Sequence, residues 1–206
     1  MKRYLFSVLI LLLSMAVNAQ TKKNILIFGD SITAGYGIEP QQAFPALLQN
    51  KIDSLKLNYN VINAGLSGET SAGGLRRIDW VLQREVEVMI LELGGNDALR
   101  GVDLTSTKEN LQKIIDKVQS KYPKAQIIIA GMQAPPNLGT EYTEQFSSLF
   151  TALAKENGLP IIPFILEKVG GIADLNLPDG IHPTPEGHIL VAETVWEHLY
   201  PLLKKN

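Results

Sequence analysis

The stretch of sequence that decides the fold covers residues 24–37 and is Asn24-Ile25-Leu26-Ile27-Phe28-Gly29-Asp30-Ser31-Ile32-Thr33-Ala34-Gly35-Tyr36-Gly37. A short apolar run that closes on a glycine is typical of a buried strand in a parallel sheet. In open α/β sheets, ligands bind just beyond the carboxyl ends of the strands. The position of Ser31 directly after the apolar run therefore makes it a candidate nucleophile.

The chain after this stretch alternates short apolar runs with longer amphipathic ones, which predicts a parallel sheet covered by helices on both faces. The predicted strands are residues 24–28, 59–62, 86–92, 125–130 and 160–164. The predicted helices are residues 43–52, 74–83, 107–120, 142–156 and 185–203. Because no repeat, low-complexity tract or linker interrupts this pattern, we expect residues 20–206 to form one three-layer α/β/α domain.

Each of the first three predicted strands ends in a loop that contains glycine. The second strand leads into Asn63-Ala64-Gly65, and the third leads into Gly94-Gly95-Asn96-Asp97. Glycines let backbone N–H groups approach a ligand closely, and an asparagine side chain adds further N–H donors. The three loops can meet only if their strands are neighbours, about 4.8 Å apart. The strand order 2-1-3-4-5 allows this and 3-2-1-4 does not, so we predict a flavodoxin-like five-stranded sheet.

A base for the candidate nucleophile is found near the last predicted helix, in Leu177-Pro178-Asp179-Gly180-Ile181-His182-Pro183. Asp179 and His182 are three residues apart, which lets the carboxylate hold one imidazole nitrogen while the other faces outward. The fifth strand is distant from the first, so the chain must travel back across the sheet. Residues 165–181 are long enough for that connection, and connections of this length are usually functional.

The first residues have the pattern of a secretory signal peptide. Lys2 and Arg3 precede an apolar run from Tyr4 to Val17, and Val17-Asn18-Ala19 offers a small-residue cleavage site. A membrane-spanning helix needs about 18 or more apolar residues, and this run is shorter. We therefore expect residues 1–19 to be removed and the protein to be periplasmic or secreted, without stable insertion in a membrane. The alternative, a retained membrane anchor, would leave the cleavage site without a purpose.

Composition argues against several classes of function. The formal net charge of −2 offers no basic patch for nucleic acid. Cysteine is absent, so neither disulfides nor a thiolate nucleophile is expected. The three histidines show no metal-binding spacing, and there is no Walker-type glycine loop or GxGxxG motif. These observations favour neither a nucleic-acid partner nor a metal or nucleotide cofactor, and we expect a monomer.

Four segments together resemble the ordered sequence blocks of the GDSL or SGNH hydrolases, and they span nearly the whole mature chain. The segments are Gly29-Asp30-Ser31-Ile32-Thr33, Asn63-Ala64-Gly65, Gly94-Gly95-Asn96-Asp97 and Asp179-Gly180-Ile181-His182-Pro183. Residues 92–101 and 44–48 are similar to the bacterial periplasmic arylesterase, thioesterase I and lysophospholipase group within that superfamily. Ile32 replaces the usual leucine, a variation that leaves the other roles undisturbed.

The resemblance implies a catalytic triad of Ser31, Asp179 and His182. It also implies an oxyanion hole made by the backbone N–H groups of Ser31 and Gly65 and the side-chain amide of Asn96. The implied reaction is two-step acyl transfer through an acyl-enzyme, with no metal or cofactor. The expected substrates are carboxylic esters, thioesters or lysophospholipid-like molecules.

The substrate preference is less constrained than the reaction. Met132, Pro135 and Leu138, in the loop after the fourth predicted strand, are candidates for lining the acyl pocket, although the loop would also suit simple packing. An apolar lining favours acyl chains over sugars. A carbohydrate O-deacetylase of the same superfamily is the alternative hydrolase, and a non-catalytic exported binding protein is the alternative outside enzymes.

Several residues near the motifs have simpler interpretations. Asp30 suits the N-cap of a helix after the first strand. Ser67 is a rival nucleophile, but Glu69 stands where the GxSxG pattern requires glycine. His188 and His198 fall in the last predicted helix and are expected to be structural or to face solvent.

Overall fold

A five-stranded parallel sheet in the order β2-β1-β3-β4-β5 forms the centre of the computed structural model, which describes residues 21–203. Strands β1 to β5 cover Lys23–Gly29, Tyr59–Gly65, Val88–Glu92, Gln126–Ala130 and Ile161–Ile162. The predicted fold class and strand order are confirmed. The predicted signal peptide, residues 1–19, lies outside the described residues.

In the described part of the chain, helices α1 to α7 cover Ser31–Ala34, Phe44–Ser54, Ser71–Val81, Gly95–Leu99, Leu104–Lys121, Thr140–Asn157 and Pro185–Leu203. Short 3₁₀ turns occupy Pro40–Gln42, Pro136–Leu138 and Ala173–Leu175. The five longer helices were predicted, whereas α1 and α4 were not. Both are too short to show a helical period in the sequence.

The core lies on both faces of the sheet. Leu26 and Phe28 of β1 pack into a cluster with residues of α3, α5 and α6, whereas Ile25 and Ile27 pack with residues of α2 and α7. Successive side chains of a strand point to opposite faces, so a strand covered on both sides must be apolar throughout. This burial explains the continuous apolar run that precedes Ser31.

The strand register places the ends of β1, β2 and β3 side by side. Gly29 pairs with Gly65 on one side and with Glu92 on the other. The three loops that follow these strands therefore begin next to one another at the same edge of the sheet. Gly65 packs so closely on α1 that a Cβ there would lie 2.2 Å from the Ala34 nitrogen. Within residues 21–203, no helix is long and apolar enough to cross a membrane.

Candidate active site

Ser31 is the first residue of α1, and only Asp30 separates it from the end of β1. Asp30 caps this helix, as the sequence predicts, because its Oδ1 accepts a hydrogen bond from the Ile32 N–H at 3.0 Å. The helix ends at Gly35, whose φ of 76° lies in the left-handed region that favours glycine. The short helix thus holds the nearly buried Ser31 at the carboxyl end of the sheet.

His182 lies between Ser31 and Asp179. Its Nε2 is 2.8 Å from the Ser31 Oγ, and its Nδ1 is 2.7 Å from Asp179 Oδ2. The other carboxylate oxygen, Asp179 Oδ1, accepts hydrogen bonds from the backbone N–H groups of Ile181, at 2.9 Å, and His182, at 3.0 Å. The structure therefore brings together the three residues that the resemblance assigns to a triad.

The charge of Asp179 determines which imidazole nitrogen carries the proton. Burial alone would raise the pKa of Asp179, but hydrogen bonds from the His182 and Ile181 N–H groups and from the His182 ring lower it to about 2. An ionised carboxylate only accepts hydrogen bonds, so Nδ1 must be the donor. In neutral His182, the Nε2 lone pair then faces the Ser31 hydroxyl.

The segment that carries Asp179 and His182 is an ordered turn. Asn176 and Pro183 form an isolated antiparallel bridge, and the Leu177 N–H donates to the His182 carbonyl at 2.7 Å. Gly180 has φ of 71° and its N–H donates to the Leu177 carbonyl at 2.8 Å. These contacts position the turn after the chain has crossed back from β5.

The three proposed oxyanion donors surround the ends of β1, β2 and β3, and two of them have acceptors within the protein. The Ser31 N–H is in the first turn of α1, where no acceptor is available within the helix. The Gly65 N–H donates to Asn63 Oδ1 at 2.9 Å. The Asn96 amide donates one hydrogen to Asp30 Oδ2 at 3.0 Å, which leaves its second N–H for another acceptor.

A cavity of about 390 Å³ opens beside Ser31 and His182. Met132 and Pro135 line it, whereas Leu138 is not among the lining residues. Leu138 ends a 3₁₀ turn and is 38% exposed, so its side chain faces partly towards solvent. The sequence analysis did not identify the residues after β5 that line this cavity, which include Phe164, Ile165 and Leu166. These residues were assigned to a strand or to a connecting loop, and no periodicity distinguishes a pocket wall from either.

The sequence analysis also did not single out Glu92, which contacts residues next to Ser31. Glu92 ends β3 and is completely buried, yet no cation contacts it among the described residues. Its Oε2 accepts hydrogen bonds from the Asp30 N–H at 3.1 Å and from the Thr33 hydroxyl at 2.6 Å. A carboxylate in an otherwise apolar strand was the available signal, because buried carboxylates usually have a specific partner.

The rival nucleophile Ser67 and His188, which was expected to be structural or to face solvent, are separate from this chain of contacts. Ser67 is exposed in the turn after β2. His188 is buried in α7, where its Nδ1 accepts the Phe44 N–H at 3.2 Å. Burial, and secondarily the charge of His182, lower the pKa of His188 to about 4, so it is neutral at physiological pH. No group of three or more potential metal ligands is found among residues 21–203.

The chain matches a known family model and is similar to named proteins from two bacteria. Residues 27–190 match the model of the GDSL-like Lipase/Acylhydrolase family. Esterase TesA from Pseudomonas aeruginosa is 39% identical, and the match covers 94% of each chain. Thioesterase 1/protease 1/lysophospholipase L1 from Escherichia coli K12 is 37% identical over 98% of this chain and 93% of that protein.

A solved structure agrees with these matches. The crystal structure of the psychrotrophic esterase EstA from Pseudoalteromonas sp., inhibited by monoethylphosphonate, has a TM-score of 0.83 with this chain. The two are 33% identical, and the match covers 89% of this chain and all of that one.

Proposed function

Because the chain belongs to the GDSL-like lipase/acylhydrolase family and is a carboxylic ester hydrolase, we propose that it is a serine esterase that forms an acyl-enzyme on Ser31. The observation that carries the proposal is the continuous contact from Asp179 to His182, at 2.7 Å, and from His182 to Ser31, at 2.8 Å. This arrangement supplies a nucleophile, a general base and a group that orients the base.

In the first step, the Ser31 Oγ attacks the carbonyl carbon of the ester while His182 Nε2 takes the hydroxyl proton. The tetrahedral intermediate collapses, the bond to the alcohol or thiol breaks, and His182 returns the proton to the leaving group. Asp179 stabilises the imidazolium that forms transiently and does not itself become protonated. The product of this step is an ester of Ser31.

In the second step, water takes the place that the Ser31 hydroxyl had in the first. His182 removes a proton from the water as its oxygen attacks the acyl carbon. Collapse of the second intermediate releases the carboxylic acid and returns the proton to Ser31. Each proton that His182 accepts is therefore given back within one turnover.

The proposed oxyanion hole consists of the N–H groups of Ser31 and Gly65 and the amide of Asn96. Donors aimed at the developing negative charge lower the barrier more than they stabilise the substrate. The Gly65 N–H must leave Asn63 Oδ1 or share its hydrogen bond. An anionic oxygen is a stronger acceptor than an amide oxygen, which favours that exchange in the transition state.

The proposed substrates are acyl esters, with thioesters and lysophospholipid-like esters in the same class. The cavity is within the usual size range of small-molecule sites, about 300–1,000 Å³. Leu99, Met132, Pro135, Phe164 and Leu166 give it apolar walls, which suit a hydrocarbon chain better than a sugar ring. We further propose that residues 1–19 direct export, to the periplasm or out of the cell, and that the mature protein is monomeric.

Hydrolysis of p-nitrophenyl acetate, butyrate and octanoate by the purified protein tests this proposal. We expect the wild type to turn over these esters and Ser31→Ala to lose at least about 10³-fold in kcat, because removing the nucleophile leaves only binding and the oxyanion hole. A fluorophosphonate probe should label the wild type at Ser31, as determined by peptide mapping.

Ser67→Ala is the matched control, since it removes a nearby exposed hydroxyl. It should keep both the activity and the labelling. Equal activities of the wild type and Ser31→Ala, or an adduct on Ser67, would contradict the assignment of the nucleophile.

A further inference from the structure

Two buried carboxyl groups lie beneath the proposed nucleophile. Asp30 is 3% exposed and Glu92 is completely buried. The Asp30 N–H donates to Glu92 Oε2 at 3.1 Å, which brings the two carboxyl groups close together. Gly29 makes this approach possible, since a Cβ at that position would lie 2.2 Å from Glu92 Oε2. Two acids this close and this well buried do not both ionise at low cost.

The hydrogen bonds identify which acid keeps its proton. Glu92 Oε2 already accepts two hydrogen bonds, whereas Oε1 is buried and accepts none from the described residues. Burial, and secondarily the negative charge of Asp30, raise the pKa of Glu92 well above its usual value. Asp30 instead accepts hydrogen bonds from the Ile32 N–H and from the Asn96 amide. The proton therefore belongs on Glu92, with the Asp30 carboxylate as its acceptor.

The Asp30 carboxylate in turn determines how the Asn96 side chain is oriented. A carboxylate only accepts hydrogen bonds, so it selects the NH₂ end of the amide over the carbonyl end. One N–H of the amide donates to Asp30 Oδ2, with 3.0 Å between nitrogen and oxygen, and the planar geometry of the amide then sets the direction of the other N–H. A rotated amide would present a carbonyl oxygen at this position and repel an oxyanion.

We infer that Glu92 is a positioning residue: as a buried neutral acid it donates to Asp30, and Asp30 holds the Asn96 amide with one N–H directed at the substrate oxygen. This inference rests on the proposed role of Asn96 in the oxyanion hole. Glu92 does not touch the substrate, and its effect passes through two hydrogen bonds.

Two substitutions separate this role from a purely structural one. Glu92→Gln keeps a neutral donor towards Asp30 and an acceptor for the Asp30 N–H and Thr33, so it should retain kcat within about threefold. Glu92→Met keeps much of the volume and removes the donor. It should lower kcat by about tenfold, with little change in KM, because the lost interaction is made in the transition state.

A double-mutant cycle tests whether Glu92 acts through Asn96. Asn96→Ala alone should lower kcat by about 10²–10³-fold. Adding Glu92→Met to Asn96→Ala should then cost almost nothing more, because the amide that Glu92 positions is gone. Ile115→Val, a core change on α5 outside this chain of hydrogen bonds, is the control and should have the same small effect in both backgrounds.

The outcomes distinguish this inference from the proposed function. If Asn96→Ala lowers kcat and Glu92→Met costs the same factor in both backgrounds, Glu92 does not act through Asn96 and only this inference fails. If Asn96→Ala leaves kcat unchanged, the proposed oxyanion hole is wrong and the inference falls with it.

A spectroscopic measurement covers the case in which Glu92→Met does not fold. The infrared difference between the wild type and Glu92→Gln at neutral pH should contain the C=O stretch of a protonated carboxylic acid. Its absence would show that Glu92 is ionised and would overturn the inference.

Discussion

Asp30 and Asp179 both lie at the proposed catalytic centre, but their surroundings shift their pKa values in opposite directions. Asp179 lies in a turn, with 38% of its side chain exposed, and hydrogen bonds from backbone N–H groups and an imidazole lower its pKa to about 2 despite partial burial. Asp30 is almost fully buried beside a second acid, and burial raises its pKa against the hydrogen bonds that it accepts.

The difference shows how one residue type can perform two tasks in one site. A carboxylate with several N–H donors and access to water keeps its charge, and that charge can stabilise an imidazolium. A carboxylate buried against a second acid must share a proton, and the pair can then orient a neutral donor. Exposure and partners, rather than distance from Ser31, separate the two roles.

Replacing each aspartate by asparagine is the strongest test of this comparison. Asp179→Asn should lower kcat by about 10⁴-fold, because an amide that donates to His182 favours the wrong tautomer. Asp30→Asn should lower kcat by only about tenfold, since it disturbs the orientation of one oxyanion donor without removing that donor. Steady-state kinetics on p-nitrophenyl butyrate measure both effects.

Asparagine caps helices as well as aspartate does, so Asp30→Asn should leave α1 in place. Circular dichroism verifies that the variants are folded. Equal losses in the two variants would break the distinction between the aspartates.

The arrangement of the strands was predictable because the motifs constrain it. Three glycine-containing loops must meet, and only neighbouring strands let them do so, as the pairing of Gly29 with Gly65 and Glu92 confirms. The length of the fifth strand was predicted less well, because prolines limit its pairing. β5 is only Ile161–Ile162, shorter than predicted, because the flanking Pro160 and Pro163 cannot donate to a ladder.

The buried acid pair could not be predicted in the same way. Asp30 and Glu92 are far apart in the sequence, and only the register of β1 against β3 brings them together. The carboxylate at the end of an apolar strand indicates that Glu92 has a specific partner, but it does not identify that partner. The sharing of a proton depends on burial and on the absence of a cation, and neither of these is visible in a local pattern.

The free energy of unfolding should show the two acidic environments as pH dependences of opposite sign. The raised pKa of Glu92 means that the wild type loses stability as the pH rises above about 4.5, where the unfolded chain releases this proton. Glu92→Gln should therefore be more stable than the wild type at neutral pH, with the gain vanishing near pH 4. Urea unfolding between pH 2 and pH 8 measures this difference and covers the range in which the Asp179 contribution changes.

Asp179→Asn should behave in the opposite way. The lowered pKa of Asp179 contributes stability above its unfolded pKa of about 3.8, and that contribution is lost as the pH falls towards 2. The variant should be slightly less stable than the wild type at neutral pH, and the partial exposure of the side chain keeps the difference small. If the difference in the free energy of unfolding from the wild type changed with pH in the same direction for both variants, the comparison of the two acids would be wrong.

The smallest expected effect concerns the Gly65 N–H, the proposed oxyanion donor whose acceptor within the protein is exposed. Asn63 Oδ1 accepts the Gly65 N–H at 2.9 Å, at the solvated end of β2. A transition-state oxyanion must compete with this amide oxygen, so Asn63→Ala should leave kcat within about threefold of the wild type or raise it slightly. Asn60→Ala is the matched control, because Asn60 lies on the same strand and donates to Asn24 instead. A tenfold loss in Asn63→Ala alone would mean that the exposed Asn63 positions the Gly65 N–H as firmly as the buried acid pair positions Asn96.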